Sequence, residues 1–181
     1  MTQDASELFE EQGFIINDQI YSASFIQKLS LLINDAQFDN FIPPELTDSH
    51  MQRCFDKKLL GKLKMLLINA EFNKFCREVF HKEIVADGFR LTKYTRAKGD
   101  FLSFHGDEGD IRLAGFSIDF TQGSNSNSCF QLRNEKTKKI ILSNKAGVPG
   151  RVTIFKISPE LVHGVTPTDG DDRIAITGWL V

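Results

Sequence analysis

The chain has 181 residues, of which 41% are hydrophobic and 25% are charged, and its formal net charge is −2. A chain of this length normally folds as one unit with a sizeable core, so we expect a single domain over residues 1–181. The small net charge gives no general attraction to nucleic acid or anionic lipid, and no apolar run is long enough to span a membrane.

The start of the chain and its cysteines indicate the compartment. Residues 1–4 carry neither the basic segment nor the apolar run of a signal peptide. Cys54, Cys76 and Cys129 are odd in number and lack Cys-x-x-Cys spacing, which argues against a disulfide framework or a structural zinc site. We therefore expect a cytoplasmic protein with no nucleic-acid or membrane partner.

Helical patterns dominate the first 82 residues. Helices are predicted over residues 6–12, ended by Gly13, over residues 24–35, and over residues 55–81 with a break near Asn69. In the last of these, leucines recur at the spacing of an amphipathic helix: Leu59, Leu60, Leu63, Leu66 and Leu67. We expect residues 1–82 to form a helical support region.

The pattern changes near residue 83 to short β-prone runs separated by Gly, Asn, Asp and Pro. Strands are predicted over residues 83–94, 101–105, 111–120, 129–132, 138–142, 152–157, 161–166 and 174–181. Short strands in this number fit a double-sheet jelly roll, the double-stranded β-helix of cupins. We predict a mainly β, α+β fold in which residues 83–181 form the jelly-roll core and the helices brace one outer face. No role is indicated for the polar run 122–128.

His105 and Asp107 form a His-x-Asp pair at the end of the β-prone run 101–105. Positions i and i+2 of a strand point to the same face, so both side chains can bind one ion. His163 stands in a later β-prone run and can supply a third ligand if the fold brings the two strands together. Two imidazoles and one carboxylate can hold iron(II) on one face and leave the other open, which suits a non-haem oxygenase.

The last predicted strand contributes a second signature. In period 2 one face carries Arg173, Ala175, Thr177, Trp179 and Val181, and the other carries Ile174, Ile176, Gly178 and Leu180. The second set is typical of core packing, whereas the first set predicts a cavity wall with polar groups. The planar guanidinium of Arg173 can bind a carboxylate through two parallel hydrogen bonds and keeps its charge.

From Phe89 to Val181 the chain resembles the iron(II)- and 2-oxoglutarate-dependent dioxygenases, in particular their prolyl-4-hydroxylase-like branch. The stretch 99–107 is similar to that family's glycine, aromatic and His-x-Asp segment, and the stretch 163–167 is similar to its distal-histidine segment. Arg173 stands at the family's spacing from the distal histidine. The Arg-x-Ala-x-Thr-x-Trp run that it opens is especially close to prolyl hydroxylases that modify proteins.

This resemblance implies that His105, Asp107 and His163 bind iron(II) and that Arg173 binds the distal carboxylate of 2-oxoglutarate. Thr177 and Tyr94 become expected hydrogen-bond partners of this co-substrate, although Tyr94 stands further from the metal motif than the family's tyrosine. Dioxygen is the implied second co-substrate, with ascorbate as an accessory reductant. The implied reaction hydroxylates an amino-acid residue, in a protein, a peptide or a small molecule, and releases succinate and carbon dioxide.

Two alternatives remain open. A cupin-type metal enzyme would use the same barrel without 2-oxoglutarate, and Arg173 argues against it. A catalytically silent binding module would need no co-substrate, and the presence of all three ligand types argues against it. Glu108 and Asp110 could replace Asp107 as a ligand, but neither has its i+2 relation to His105. The prime substrate and the oligomeric state are not indicated.

Overall fold

The structure, a computed structural model that describes residues 4–109, 111–123 and 126–181, is built of helices and antiparallel strands. The helices are α1 (Ala5–Gln12), α2 (Ala23–Asn34), α3 (Lys57–Leu67) and α4 (Ala70–Phe80), and a short 3-10 helix covers Arg96–Lys98. The strands are β1 (Phe14–Asn17), β2 (Asp39–Phe41), β3 (Met51–Arg53), β4 (Ala86–Tyr94), β5 (Leu102–His105), β6 (Ala114–Asp119), β7 (Cys129–Asn134), β8 (Ile140–Lys145), β9 (Val152–Lys156), β10 (Leu161–Val165) and β11 (Arg173–Leu180).

The strands form two sheets. The larger sheet has seven strands in the order β1-β9-β6-β11-β4-β3-β2, and the smaller has four in the order β5-β10-β7-β8. Neighbouring strands are antiparallel in both sheets. The facing surfaces of the sheets enclose a cavity, and the helices pack on the outer face of the larger sheet. This arrangement confirms the predicted jelly roll braced by helices on one side.

The main core lies between the helices and the seven-stranded sheet. Fully buried side chains come from both layers: Leu29, Leu63, Leu67 and Phe72 from the helices, and Leu91, Phe116, Ile118, Ile154 and Ile176 from the strands. Phe72 meets Phe116 edge to face, with the ring centroids 5.5 Å apart. Such pairs contribute about 0.5–1.5 kcal/mol beyond the burial of their area. Ile176 and Leu180 lie in this core, as the alternation in the last strand predicts.

Local side chains set the ends of the helices. Gly13 ends α1 in the left-handed region, at φ 77°, and its N–H donates to the carbonyl of Phe9. Asn69 separates α3 from α4, because its side-chain oxygen accepts the N–H groups of Glu71 and Phe72 and so begins the second helix. The predicted break near this residue is therefore present. None of the described helices, of which α2 is the longest at 12 residues, is both long and apolar enough to cross a membrane.

The expected division near residue 83 needs a correction. Region 1–82 contributes β1, β2 and β3 to the larger sheet, in addition to the four helices. β1 pairs with β9, and β3 pairs with β4 and β2. These strands have only four, three and three residues, which is too short for an alternating pattern to emerge from the sequence.

Each strand predicted after residue 83 has a counterpart among β4 to β11, and β8 is the most displaced. The sequence predicts it over residues 138–142, whereas it runs over Ile140–Lys145. Lys138 has a positive φ of 58°, and the Asn134 side chain accepts the N–H of Thr137 at 2.8 Å, so a turn occupies the start of the expected strand.

Candidate active site

A cavity of about 560 Å³ lies between the two sheets. The side chains singled out by the sequence all line it: Tyr94, His105, Asp107, His163, Arg173 and Thr177. Of the two other acidic residues considered as ligands, Glu108 lines the cavity and Asp110 lies outside the described residues. The fold thus brings together residues that are far apart in sequence, and their geometry indicates what each can do.

Two histidines and one aspartate converge at one end of the smaller sheet. His105 on β5 and His163 on β10 are cross-strand partners, and their ring centroids are 4.2 Å apart. Asp107 follows β5, with Oδ1 3.9 Å from Nε2 of His105 and Oδ2 3.6 Å from Nε2 of His163. Each residue offers one ligand atom, and all three atoms lie within 4.8 Å of one another. This spacing and donor set fit a divalent cation such as iron(II).

The two imidazoles are in a state that suits metal binding. Nδ1 of His105 lies 2.9 Å from the carbonyl oxygen of Ser103, which favours a proton on Nδ1 and leaves Nε2 free as an acceptor. Burial, together with the neighbouring His105, lowers the pKa of His163 well below its usual range, and Asp107 opposes this only in part. Metals bind the neutral form of imidazole, which is the form that burial favours for His163.

Trp179 holds the carboxylate of Asp107 in place. Its indole N–H donates to Oδ2 of Asp107 at 2.9 Å. The guanidinium carbons of Arg112 and Arg90 lie 3.5 Å and 3.8 Å from the centroid of the same indole ring. Arg112 also donates to the backbone carbonyl of Asp107 at 3.1 Å. A partner of this kind orients a metal ligand and restricts its rotation.

The position of Trp179 depends on a bulge between β4 and β11. The pairing of these strands shifts register between Thr177 and Trp179, opposite the stretch that contains Gly88. Gly88 has φ 59°, and a Cβ there would lie only 2.1 Å from the indole, so glycine is required on both counts. At this bulge the strand no longer alternates strictly between core and cavity. Three consecutive residues, Thr177, Gly178 and Trp179, all line the cavity.

Arg173 lies deep in the cavity with only 3% of its surface exposed. Its Nε and one terminal nitrogen, Nη1, find no hydrogen-bond partner in the described part of the chain. A buried cation without a partner is costly, so the site is suited to an anion. Tyr94, its cross-strand partner on β4, also lines the cavity. Burial raises the pKa of Tyr94 to about 12 although Arg173 acts to lower it, so the hydroxyl stays protonated and can donate.

The cavity is also lined by three arginines that were not predicted from the sequence: Arg53, Arg90 and Arg112. Arg90 could have been predicted from the sequence, because it stands at alternate positions with Thr92 and Tyr94 on a predicted strand and so shares their face. Arg53 could not have been predicted, because β3 has only three residues. Phe130 and Phe155 form an apolar wall beside His163, with ring centroids 5.9 Å and 4.7 Å from its imidazole.

No protein-family model and no curated protein matches the chain, but solved structures do. An oxidoreductase of the 2OG-Fe(II) oxygenase family from Burkholderia pseudomallei has a TM-score of 0.77 at 12% identity, over 97% of this chain and 88% of that one. A prolyl hydroxylase from Trichoplax adhaerens, in complex with a hypoxia inducible factor oxygen degradation domain peptide fragment, has a TM-score of 0.74 at 16% identity. The match covers 97% of this chain and 86% of that one. A prolyl-4-hydroxylase from Pseudomonas putida has a TM-score of 0.66 at 12% identity, over 97% of this chain and 96% of that one. The chain therefore has the jelly-roll fold of the 2OG-Fe(II) oxygenases.

Proposed function

We propose that the protein is an iron(II)- and 2-oxoglutarate-dependent dioxygenase. It hydroxylates an amino-acid residue, in a protein, a peptide or a small molecule, and releases succinate and carbon dioxide. The observation that carries the proposal is a single cavity that holds both the His105, Asp107 and His163 cluster and the unpartnered guanidinium of Arg173. The fold supports it, since solved structures with this fold include prolyl hydroxylases.

His105, Asp107 and His163 would hold the iron(II), and their arrangement on one side leaves positions open for 2-oxoglutarate and dioxygen. The bound iron supplies the dioxygen chemistry, which protein side chains alone cannot perform. The backbone carbonyl of Ser103 sets the direction of the His105 ring, and the indole N–H of Trp179 sets that of the Asp107 carboxylate. Both ligands are therefore positioned before the ion arrives.

Arg173 would bind the distal carboxylate of 2-oxoglutarate through its planar guanidinium. Tyr94, which keeps its proton because burial raises its pKa to about 12, can donate a hydrogen bond to the same co-substrate, and so can the Thr177 hydroxyl. The rings of Phe130 and Phe155 exclude water from the side of the cavity that adjoins His163. Ascorbate would act only from solution, as a reductant that keeps the metal in its active oxidation state.

The test is succinate formation from 2-oxoglutarate by the purified protein with iron(II) and dioxygen, with and without ascorbate. We expect wild-type protein to form succinate, and His163→Ala and Asp107→Ala to form none because the ligand set is incomplete. Glu78→Ala, which removes an exposed carboxylate on α4, is the matched control and should behave as wild type.

Two results would contradict the proposal in different ways. Metal binding at the His105, Asp107 and His163 cluster without any conversion of 2-oxoglutarate would indicate a cupin-type metal enzyme. Failure of wild-type protein to bind a divalent metal would indicate a silent binding module. Metal content and 2-oxoglutarate turnover are measured on the same sample, so these results are distinguishable.

A further inference from the structure

The cavity carries more positive charge than 2-oxoglutarate needs. Arg173 alone suffices for one distal carboxylate, yet Arg53 and Arg90 also line the cavity. Both lie on the seven-stranded sheet, where Arg53 pairs with Thr92 and Arg90 stands two residues before Thr92 on β4. They are therefore diagonal neighbours across the β3 and β4 pair, close enough for one ligand group to touch both.

Both guanidiniums are stacked on aromatic rings. The Arg53 guanidinium carbon lies 3.6 Å from the Phe41 ring centroid, and that of Arg90 lies 3.8 Å from the Trp179 ring centroid. Stacking uses the flat face of a guanidinium, whereas its N–H groups lie in the plane and remain free to donate. The rings thus hold both planar groups in place without satisfying their hydrogen bonds.

No ion pair in the described part of the chain involves Arg53 or Arg90, and Nε of Arg53 is buried without a hydrogen-bond partner. Burial, and secondly the charge of Arg90, lower the pKa of Arg53 to about 10, which still leaves it charged at neutral pH. Burial, and also the charge of Arg112, lower the pKa of Arg90, and the carboxylates of Asp107 and Asp87 oppose this only in part. Asp107 belongs to the metal cluster. Two neighbouring, partly buried cations repel each other, and an anion between them removes that cost.

We propose that Arg53 and Arg90 form a second anion site, and that the prime substrate is a small molecule with its own carboxylate or phosphate group. This inference rests on the proposed function, because it takes the site at Arg173 as occupied by 2-oxoglutarate and assigns the site at Arg53 and Arg90 to an anionic group of the substrate. The inner anion site at Arg173 stays with the co-substrate. Arg90 lies away from the distal-carboxylate site, since it pairs with Thr177, four residues after Arg173 on β11. Arg53 lies between the two, diagonal to both Arg90 and Tyr94.

Trp179 provides the readout, because it is the only tryptophan in the chain and Arg90 stacks on its ring. Protein loaded with iron(II) and 2-oxoglutarate without dioxygen is titrated with inorganic phosphate, N-acetyl-L-proline and the uncharged N-acetyl-L-prolinamide. We expect a saturable change in tryptophan emission with phosphate or with the acid, and none with the amide at equal concentration. The two anions separate a phosphate-bearing substrate from a carboxylate-bearing one.

Substitutions locate the site. Arg53→Gln and Arg90→Gln should each weaken anion binding by at least about tenfold, because a charge-assisted hydrogen bond is lost. The matched control Arg77→Gln, on the exposed face of α4, should leave it unchanged. Affinity for 2-oxoglutarate, followed by the absorbance of its iron chelate, should stay within about threefold in all three variants, because the inner site is intact. Arg53→Lys and Arg90→Lys, which keep the charge but lose the planar fork, serve if a glutamine variant fails to fold.

Absence of saturable binding by both anions, or equal binding in Arg53→Gln, Arg90→Gln and wild type, would overturn this inference while 2-oxoglutarate turnover still supports the proposed function. A loss of 2-oxoglutarate affinity in Arg53→Gln as large as that in Arg173→Leu would overturn it too, since Arg53 would then belong to the co-substrate site. If wild type binds no 2-oxoglutarate, the proposed function fails instead, and the anion titration is carried out on the metal-loaded protein alone.

Discussion

The two sheets contribute different chemistry to one cavity. The four-stranded sheet supplies the histidines of the metal cluster on β5 and β10, whereas the seven-stranded sheet supplies the arginines on β3, β4 and β11. Their support differs as well, since every residue of β6, a central strand of the larger sheet, is buried, whereas only Phe130 and Leu132 are buried in β7, a central strand of the smaller sheet. The cations thus stand on a sheet packed on both faces, and the metal ligands stand on a sheet packed mainly on one.

This difference separates two kinds of substitution. Changes on the outer face of the larger sheet act on the packing against the helices and so on the stability of the whole protein. Changes on the cavity side of either sheet act on the ligands and leave most of that packing intact. Substitutions on the two faces of the larger sheet should therefore have different effects on ligand binding and on stability.

The largest effect is expected at Arg173. Arg173→Leu should weaken 2-oxoglutarate binding by at least about a hundredfold, because loss of one partner of a buried charge pair costs about 3–5 kcal/mol. Metal affinity should change little, since Arg173 is not in the metal cluster. The titration uses the absorbance of the iron chelate, and Arg77→Leu on exposed α4 is the control. Near-normal affinity in the Arg173 variant would mean that another residue binds the distal carboxylate.

Substitution of one isoleucine in each sheet tests how much packing stabilises that sheet. Ile154→Ala on β9, whose side chain is fully buried against the helices, should lower the free energy of unfolding by about 2–5 kcal/mol. Ile141→Ala on β8, which is only partly buried, should cost less than half as much because less contact is lost. Chemical denaturation of both variants measures the difference. Equal losses would show that the smaller sheet is as tightly supported as the larger one.

Trp179→Phe tests the contact through which the larger sheet reaches the metal cluster. The phenyl ring can still stack on Arg90 and Arg112 but cannot donate to Asp107, so metal affinity should fall about 10–100-fold. Competition with a chelator measures the affinity. Tyr21→Phe is the matched control, since it removes a buried hydroxyl that donates to the Leu67 carbonyl and should leave metal affinity unchanged. An unchanged affinity in the Trp179 variant would show that the indole does not position the ligand.

The smallest effect is expected at Arg151, which contacts Asn144 in the smaller sheet and Asp18 directly after β1 of the larger one. It donates to both carboxylate oxygens of Asp18, after β1, at 2.7 Å and 2.6 Å, and to Asn144 on β8 at 2.9 Å. Asp18→Asn should lower the free energy of unfolding at pH 7 by about 0.2–1 kcal/mol, because the pair is partly exposed. The amide that replaces the carboxylate carries no charge, so the effect of this substitution should depend on pH.

Hydrogen bonding to Arg151 lowers the pKa of Asp18 in the folded protein. The contribution of the pair is therefore present above the unfolded pKa of about 3.9 and is lost as the pH falls through the lower folded value. The difference between wild type and Asp18→Asn should shrink below about pH 4. Denaturation at pH 7 and pH 3 measures it, and a difference as large at pH 3 as at pH 7 would contradict the ion-pair origin.

The sequence predicted the parts of the fold that depend on patterns long enough to repeat. The strands after residue 83 alternate over several residues, and His105, Asp107 and His163 stand in such strands or directly after one. β1, β2 and β3 could not be predicted, because their strand state depends on pairing with distant partners rather than on local pattern. Arg53 was missed for the same reason, and so was the bulge at Gly88 that lets Trp179 reach Asp107.

The pairing of His105 with His163 has a consequence for folding. The two histidines meet only when β5 lies against β10, and these strands come from distant parts of the chain. A metal that requires both rings binds the paired state and not the separated one, so it stabilises the pairing of β5 with β10. The free energy of this stabilisation grows with the logarithm of the ratio of the metal concentration to its dissociation constant. An ion in this position would act as a cross-link between the two strands. It would give the smaller sheet the restraint that the larger sheet obtains from its helices.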